Sequence, residues 1–264
     1  MQLSVIVITR NEAHNIRGCL ESVAFADEFV VVDCGSTDAT CEIAAACGAR
    51  VSRTSDWPGF GAQKNRALAL ARGTWVLSLD ADERVSPELA QSLRTVLAHD
   101  AAEAAQDAAA GRVFKPAIDA YEMDRLSRFC GQWMHHGDWN PDRVLRLFRR
   151  GAGRFSDDRV HEQLRVQGRT ARLEGALLHE TMPTLEDALD KMNRYSSGRA
   201  LDRVAAGGRG GLGAALSHGV WAFLRSYVLR RGFLDGALGF ILAVYIAEGT
   251  YYRYLKMRWL APAE

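Results

Sequence analysis

Asp80, Asp82 and Glu83 follow the apolar run 75–79 within four positions. Carboxylates crowded at the end of a buried strand repel one another unless a cation lies between them. A bound cation could in turn hold an anionic ligand at the same place. The spacing therefore indicates an ion-binding site, and the alternative is a solvated acidic loop that only caps the next helix.

The elements that must position these acids alternate between strand and helix in the first hundred residues. Strand-like runs occupy residues 3–9, 28–33, 49–53 and 74–80. Between the first two, Ile16, Leu20 and Val23 recur at spacings of four and three, as on one face of a helix. Strands that alternate with crossover helices predict an α/β fold with a mostly parallel sheet and helices on both faces.

Polar residues follow three of these strands at the point where each strand ends. They are Thr9 to Glu12, Asp33 to Asp38 and Asp80 to Asp82. In open α/β sheets, ligands bind at the carboxyl ends of the strands. We therefore expect the three groups to share one rim, which is rich in acids and hydrogen-bonding side chains but poor in positive charge.

Capping residues predict several helix boundaries. Ser36 or Thr37 is expected to cap the second helix, and Gly48 to end it. Ser86 and Pro87 open a later helix. The alanine-rich segment 101–111 is either an extension of that helix or an inserted segment.

The rest of the chain changes character twice. Residues 112–180 are expected to be β-rich and irregular, with candidate strands within 143–150, 159–166 and 171–180. From Thr184 onward the pattern is helical, with a glycine-rich hinge at 207–213 before two long apolar and aromatic helices. We predict three regions: 1–100, then 101–182, which completes the same domain, and 183–264 as a helical tail.

Composition excludes some classes of protein. The chain has 264 residues, 48% of them hydrophobic and 25% charged, and a net charge of +1. This balance argues against a dedicated nucleic-acid binder, which is normally strongly basic. Five cysteines without a CxxC pair favour a reduced, cytosolic protein without structural zinc. The first residues do not resemble a secretory signal peptide.

Four motifs carry a resemblance to a known family. "SVIVITRNEAHNI", "VVVDCGSTDAT", "GAQKNRAL" and "WVLSLDADE" resemble, in order and spacing, the nucleotide-sugar domain of family 2 inverting glycosyltransferases. The resemblance implies the GT-A fold, which is Rossmann-like, with nucleotide-sugar binding by region 1–100 and the acceptor side in region 101–182. The segments "HHGDWNPDRVLRLFRR", "RVHEQL" and "LLHE", with the helical tail, resemble the bacterial lipopolysaccharide-core glucosyltransferase branch, which acts on inner-core heptose.

The resemblance implies roles for individual residues. Those expected to bind the nucleotide sugar are Thr9, Asn11, Glu12, Asp33, Gly35, Ser36, Lys64, Asn65 and Asp80, with Asp33 on the uracil base. Those expected to bind metal are Asp80, Asp82 and His179. Glu162 falls where the inverting members place their catalytic base, although the family more often has an Asp after a Glu there.

The chemistry follows from a nucleotide-sugar donor, whose diphosphate leaves with negative charge. Mg²⁺ or Mn²⁺ suits carboxylate and phosphate oxygens and acts as a Lewis acid on the leaving group. The acceptor hydroxyl needs a general base, for which we predict Glu162, with Asp158 and Asp142 as alternates. Direct displacement inverts the anomeric centre, so a UDP-glucose donor would give a β-glycoside.

Purely structural roles remain as alternatives for several of these residues. Asp33 also suits a helix cap, His179 a buried structural histidine, and Glu162 a surface acid on a strand. Lys64 also suits the solvated face of a helix.

The tail carries basic and aromatic residues side by side. Residues 206–264 hold seven Lys or Arg against three acids. The apolar run 236–247 is too short to span a bilayer, which needs about 20 residues. We expect a cytoplasmic protein attached peripherally to the cytoplasmic face of the inner membrane. The alternative is a helical subdomain that packs on itself or on a second copy.

Arginines crowd the region ahead of Glu162. Arg143, Arg146 and Arg149 are expected to receive an anionic glycolipid acceptor, such as a lipopolysaccharide core, although exposed strand edges also carry arginine. Two rival functions remain: a nucleotidyltransferase of related fold, against which the glycine-free first loop counts, and a non-catalytic sugar-nucleotide-binding membrane scaffold.

Overall fold

The computed structural model describes residues 1–156 and 163–260. The chain forms two compact units. The first unit comprises Met1–Arg125 and Arg143–His179, and the second comprises Leu126–Asp142 and Glu180–Glu264.

The first unit alternates strands and helices along its first half. Its elements are β1 (Leu3–Thr9), α1 (Ile16–Glu21), β2 (Glu28–Asp33), α2 (Thr40–Ala46), β3 (Arg50–Arg53), α3 (Phe60–Leu70), β4 (Trp75–Asp80), β5 (Glu83–Val85) and α4 (Pro87–Ala109). Further strands are β6 (Ala120–Phe129), β8 (Arg143–Arg149), β9 (Gly153–Phe155), β10 (Leu164–Val166) and β11 (Thr170–Met182). Along the chain, β6 and β11 continue into the second unit, where β7 (Gln132–Trp133) pairs with the end of β6.

One mixed sheet organises the first unit. Its strand order is β3-β2-β1-β4-β8-β6-β11-β5. The first four strands pair in parallel, whereas β8 pairs antiparallel with both β4 and β6, and β5 antiparallel with β11. A separate antiparallel pair joins β9 to β10.

The core lies on both faces of this sheet because the central strands are buried on both sides. Val5 and Val7 on β1 pack in a cluster with apolar residues of α1, α2 and α4. Ile6 and Ile8, which alternate with them, pack in a second cluster with residues of α3. The predicted α/β fold with helices on both faces is therefore confirmed.

Helix capping explains where two helices begin. The Ser86 hydroxyl accepts a hydrogen bond from the Leu89 amide at 3.2 Å, with Pro87 at the first helical position, as predicted for α4. The alanine-rich segment extends this helix to Ala109. The predicted cap of α2 is wrong, because that helix begins only at Thr40. The backbone amide and the hydroxyl of Thr40 both donate hydrogen bonds to the Asp38 carboxylate.

The second unit is mainly helical, as the sequence predicts. Its helices are α5 (Leu185–Ala205), α6 (Leu212–Leu224) and α7 (Gly236–Leu260), with a π-helical turn at Arg225–Leu229 and 3₁₀ turns at Gly137–Trp139 and Gly232–Asp235. Thr184 caps α5 by accepting from the Asp187 amide at 3.1 Å. At the predicted hinge, a Cβ on Gly210 would lie 2.1 Å from the Tyr254 carbonyl oxygen, so the turn packs directly on α7.

The expectation that the tail does not span a membrane was based on the apolar run 236–247. Helix α7 is longer than this run and extends to Leu260. In the described part of the chain, Gly232–Leu260 is the single segment whose length and composition would allow it to cross a membrane. Core helices of soluble proteins can have the same length and composition.

Candidate active site

Three parallel strands bring their carboxyl ends together at one rim. In the strand register, Thr9 on β1 lies beside Asp33 on β2, and Ile8 lies beside Asp80 on β4. Neighbouring strands are about 4.8 Å apart, so the residues that follow them are neighbours in space. The structure therefore contains the rim that the strand-end rule predicts.

Asp33 is fully buried and accepts hydrogen bonds from two neighbours. The Thr9 hydroxyl donates at 3.1 Å, and Ser36 donates from its backbone amide at 2.9 Å and from its hydroxyl. Burial acts to raise the pKa of Asp33, but these hydrogen bonds outweigh it and hold the pKa below its ordinary value. Asp33 is therefore a fixed, ionised carboxylate.

Asn11 joins the loop after β1 to the loop after β2. Its backbone amide donates to the Ser36 hydroxyl at 2.8 Å, and its side-chain oxygen accepts from the Thr37 amide at 2.8 Å. Asn11 has a φ of +57°, a left-handed conformation that asparagine tolerates better than most residues. Gly35, at φ +76°, makes the turn with open space where a Cβ would stand. These predicted nucleotide-binding residues therefore form one network with Asp33.

Glu12 connects this network to the acidic run. Its backbone amide donates to the Thr40 hydroxyl at 2.8 Å, and its carboxylate accepts from the Asn15 side chain at 3.0 Å. The pKa of Glu12 is raised, first by burial; the Asn15 hydrogen bond opposes this and the negative charge of Asp82 adds to it. Glu12 and Asp82 therefore lie within electrostatic reach of each other.

Asp80 lies between two cations of the chain itself. One carboxylate oxygen is 3.0 Å from the Lys64 ammonium, and the other is 2.8 Å from the Arg146 guanidinium. Burial acts to raise the pKa of Asp80, but the charges of Arg146 and Lys64 hold it well below the ordinary value. The expectation of a rim poor in positive charge is therefore wrong, because α3 and β8 supply cations that the strand-end rule does not consider.

Glu83 belongs to the acidic run named in the sequence analysis, which gave it no role of its own. Its side chain is fully buried, and it accepts from the Asp80 amide at 2.9 Å and from Arg146 at 2.6 Å, with Arg125 at 3.4 Å. Glu83 therefore fixes both the backbone and the charged partner of Asp80. The sequence did contain a signal for this role: Glu83 belongs to the acidic run and lies two positions before the apolar Val85, on the same face of a strand.

Asp82 and His179 meet although 97 positions separate them in the sequence. His179 lies opposite Glu83 in the pairing of β11 with β5, and its Nε2 is 3.2 Å from the Asp82 carboxylate. Within residues 1–156 and 163–260, no three His, Cys, Asp or Glu side chains gather closely enough to hold a metal ion. The Asp82 carboxylate still fits Mg²⁺ or Mn²⁺, because such ions are commonly held by one or two carboxylates plus phosphate oxygens and water.

The predicted nucleotide contact Asn65 has another partner in this structure. Its side chain donates to the Phe155 carbonyl at 2.9 Å and accepts from the Phe155 amide at 3.0 Å. The Lys64 ammonium lies 5.7 Å from the centre of the Phe155 ring. Asn65 therefore attaches α3 to β9 beside the Lys64–Asp80 pair, and a contact of Asn65 with nucleotide stays a prediction.

The three arginines predicted to bind acceptor occupy different places. Arg146 is buried against Asp80. Arg149 pairs with Asp100 and lies over the ring of Trp75, at the start of β4 rather than at its carboxyl end. Arg143 is half exposed, and the Asp124 carboxylate lies 3.6 Å from it. Acceptor binding by these residues stays a prediction.

The predicted base Glu162 and its alternate Asp158 lie outside the described residues. The residues on either side are Ser156 and Gln163, which are joined by two hydrogen bonds. The Ser156 amide donates to the Gln163 carbonyl at 2.9 Å, and the Gln163 amide to the Ser156 hydroxyl at 3.0 Å. The other alternate, Asp142, belongs to the second unit.

Similar sequences extend over nearly the whole chain. An uncharacterized glycosyltransferase of Rickettsia prowazekii is 29% identical over 98% of this chain and 88% of its own length. The lipopolysaccharide core biosynthesis glycosyltransferase LpsC of Rhizobium meliloti is 29% identical over 98% of this chain and 95% of its own length.

Solved structures give a weaker likeness. S. aureus TarS is 19% identical, with a TM-score of 0.46 over 98% of this chain and 90% of that one. Glucosyl-3-phosphoglycerate synthase of Mycobacterium tuberculosis, solved with Mn²⁺, UDP and glucosyl-3-phosphoglycerate, is 26% identical, with a TM-score of 0.35 over 48% of this chain and 44% of that one.

Both TM-scores are below 0.5, so the family assignment rests on sequence. The model of the family described as Glycosyl transferase family 2 matches residues 4–154, which contain the rim formed by β1, β2 and β4 and the acidic run that follows it. The chain therefore belongs to glycosyl transferase family 2 and has its GT-A-like α/β fold.

Proposed function

We propose that this glycosyltransferase is an inverting, metal-dependent enzyme that moves a hexose, glucose from UDP-glucose, onto a lipopolysaccharide-core or similar glycolipid. The observation that carries the proposal is the meeting of Asp82 with His179 at 3.2 Å, beside a rim that also holds Asp33 and Asp80. The full-length similarity to LpsC supports the class of acceptor.

The donor would occupy the rim along the three strand ends. The ionised Asp33, fixed by Thr9 and Ser36, offers an acceptor for the N3–H group of the uracil base. The loop at Gly35 leaves open space for a ligand to approach the backbone. Lys64 lies at the Asp80 end of the rim, and its ammonium would supply a positive charge for the diphosphate oxygens.

Asp82 and His179 would hold the divalent ion, with Asp80 as a neighbouring carboxylate. When bound, Mg²⁺ or Mn²⁺ supplies Lewis-acid stabilisation of the negative charge on the departing diphosphate. Arg146 and Lys64 keep Asp80 ionised, while Arg146 holds its carboxylate and Glu83 its backbone, so this end of the rim does not have to rearrange when the donor binds.

A carboxylate must take the proton of the attacking hydroxyl. Glu162 is our candidate, with Asp158 and Asp142 as alternates, and a base of this kind typically contributes about 10²–10⁴-fold in rate. Attack from the face opposite the leaving diphosphate gives inversion without a covalent enzyme intermediate. Arg143 is the exposed member of the three arginines that we propose for an anionic acceptor.

The helical tail would hold the enzyme at the cytoplasmic face of the inner membrane, where a glycolipid acceptor lies. Exposed apolar side chains in the tail support this placement; they include Trp221, Leu229, Phe233 and Trp259. The predicted division into regions 1–100, 101–182 and 183–264 stays part of this proposal.

Two alternatives predict different outcomes with the donor. A nucleotidyltransferase would release pyrophosphate from a nucleoside triphosphate, and a non-catalytic sugar-nucleotide scaffold would bind UDP-glucose without turning it over. Family membership favours glycosyl transfer over both.

The test is calorimetric titration of UDP into the wild type and Asp82→Asn, each with and without Mn²⁺. We expect tight binding that requires both the ion and Asp82, followed by release of UDP from UDP-glucose when an acceptor is added. Equal UDP affinity in all four titrations would contradict the metal site, whereas metal-dependent binding without turnover on any acceptor would favour the scaffold.

A further inference from the structure

The second unit carries a surface pocket of about 400 Å³ that the donor site does not use. It is lined mainly by the basic and polar side chains of His135, His136, Asn140, Arg230 and Arg231, with Pro141 and Leu229 as its apolar members. We call it the Arg231 pocket. Its walls come from the segment after β7 and from the π-helical and 3₁₀ turns that separate α6 from α7.

His136 is held in one orientation by a buried carboxylate. Asp235 accepts from the His136 backbone amide at 2.8 Å, and its other oxygen lies 2.7 Å from His136 Nδ1. Because a carboxylate faces Nδ1, that nitrogen carries the proton, and Nε2 is the ring nitrogen left for a ligand. The Asp235 side chain is only 4% exposed, so this orientation is built into the turn.

Close backbone packing fixes the rest of the wall. The Gly137 amide donates to the Arg230 carbonyl at 2.9 Å, and the Asp138 amide to the Ser226 hydroxyl at 3.3 Å. A Cβ on Gly232 would lie 2.8 Å from the Ser226 carbonyl oxygen, so the two turns leave no space between them. The pocket is therefore a preformed feature of this unit.

Positive charge exceeds negative charge at the pocket. The carboxylate of Asp138 is shared by Arg225 and Arg230, so it compensates one of the two guanidinium groups. Arg231 is exposed, and the described part of the chain gives its guanidinium no carboxylate partner. Guanidinium groups match the geometry of phosphate oxygens and can bind them through two hydrogen bonds.

Apolar side chains border the same two arginines along the chain. Val228 and Leu229 precede them and are 50% and 62% exposed, while Phe233 and Leu234 follow and are 47% and 54% exposed. A small soluble anion would gain nothing from these four residues, whereas an amphiphile would contact both the cations and the apolar border.

We infer that the Arg231 pocket binds the phosphate group of a phospholipid in the bilayer while the apolar border enters the headgroup region. This inference rests on the membrane attachment in the proposed function and makes it specific, because it assigns the contact to one pocket and one chemical group. The inference differs from general electrostatic attraction to an anionic surface, to which every basic residue of the tail would contribute about equally.

The test is sedimentation of the full-length protein with vesicles of the phosphate-free lipid digalactosyldiacylglycerol, prepared in two kinds. One kind contains phosphatidylglycerol and the other contains oleate, at matched surface charge and about 0.15 M salt, where diffuse attraction is screened. The variants are Arg231→Gln in the pocket and Arg194→Gln on α5, which removes the same charge from an exposed position of the same unit.

We expect the wild type to bind the phosphatidylglycerol vesicles about tenfold more tightly than the oleate vesicles, as two charge-assisted hydrogen bonds would give. Arg231→Gln should lose this preference and Arg194→Gln should keep it, and both should unfold at the wild-type midpoint. Inorganic phosphate should reduce wild-type binding more than chloride at equal ionic strength.

Two results would overturn the inference. Equal wild-type binding to both kinds of vesicle, or equal weakening by the two substitutions, would show diffuse electrostatics without a phosphate pocket. No binding to either kind would contradict the proposed membrane attachment itself. The experiment therefore distinguishes failure of the pocket hypothesis from failure of the attachment hypothesis.

Discussion

The guanidinium of Arg146 lies 2.8 Å from the carboxylate of Asp80. The two residues meet at the rim of the sheet where we propose that the donor binds. Arg146 also bonds Glu83 at 2.6 Å, so one buried cation compensates two buried acids. The crowded acids of the sequence are therefore neutralised largely from within the chain.

Replacing Arg146 by Met should destabilise the protein strongly. It would leave Glu83 and Asp80 without their shared partner, and breaking a buried ion pair typically costs about 3–5 kcal/mol. Denaturant unfolding followed by circular dichroism measures this cost. Arg143→Met, at an exposed position of the same strand, is the control and should stay within about 0.5 kcal/mol of wild type. Equal stability of the two variants would contradict the assigned role of Arg146.

Acid should remove the stabilisation that Asp33 provides. Its pKa is lower in the folded protein than the unfolded reference of 3.8, so its contribution is present above that value and disappears as pH falls through the lower folded pKa. The difference in unfolding free energy between wild type and Asp33→Asn should therefore be largest near neutral pH and shrink below about pH 4. Urea unfolding at several pH values tests this, and a difference that grows in acid would contradict it.

Asn65→Ala should affect folding stability more than UDP affinity. The substitution leaves the amide and carbonyl of Phe155 without their side-chain partner, at a cost of about 1–3 kcal/mol. Unfolding and UDP titration on the same sample compare the two effects, with the exposed Gln91→Ala on α4 as control. Unchanged stability with lost UDP binding would instead make Asn65 a direct nucleotide contact, as the sequence resemblance implies.

His179→Gln should weaken Mn²⁺ binding in the presence of UDP by about 10–100-fold, because even loss of a residue that only supports a ligand costs that much. Electron paramagnetic resonance of free Mn²⁺ measures the affinity directly. His99→Gln, an exposed histidine on α4, should bind Mn²⁺ like the wild type. If both variants match the wild type, His179 is a structural partner of Asp82 and not a metal ligand.

The sequence predicted the central strands closely because their apolar runs end abruptly in polar rim residues. The predicted bounds of β1 and β2 coincide with the structure, and β3 and β4 each begin one residue later than predicted. The cap of α2 was wrong because Ser36 and Thr37 bond Asp33 and Asn11 instead of the helix. The bond between Thr37 and Asn11 joins two loops 26 positions apart, and it leaves no local pattern from which it could be predicted.

The candidate site was predictable in its acids and not in its cations. Asp80 and Asp82 follow a strand, and strand ends are recognisable in the sequence. Arg146 reaches Asp80 from 66 positions away and Arg125 reaches Glu83 from 42, and such pairing depends on how β8 and β6 are placed in the sheet. The sequence therefore identified the place of the site but not how its charge is balanced.

The internal balance of charge has a consequence for the cell. Asp80 and Glu83 are compensated by Lys64, Arg146 and Arg125, so folding of the rim does not require a supply of divalent ions. Under the metal dependence that we propose, a cell short of manganese or magnesium would retain the folded protein, and catalysis would resume when the ion returned, without new synthesis.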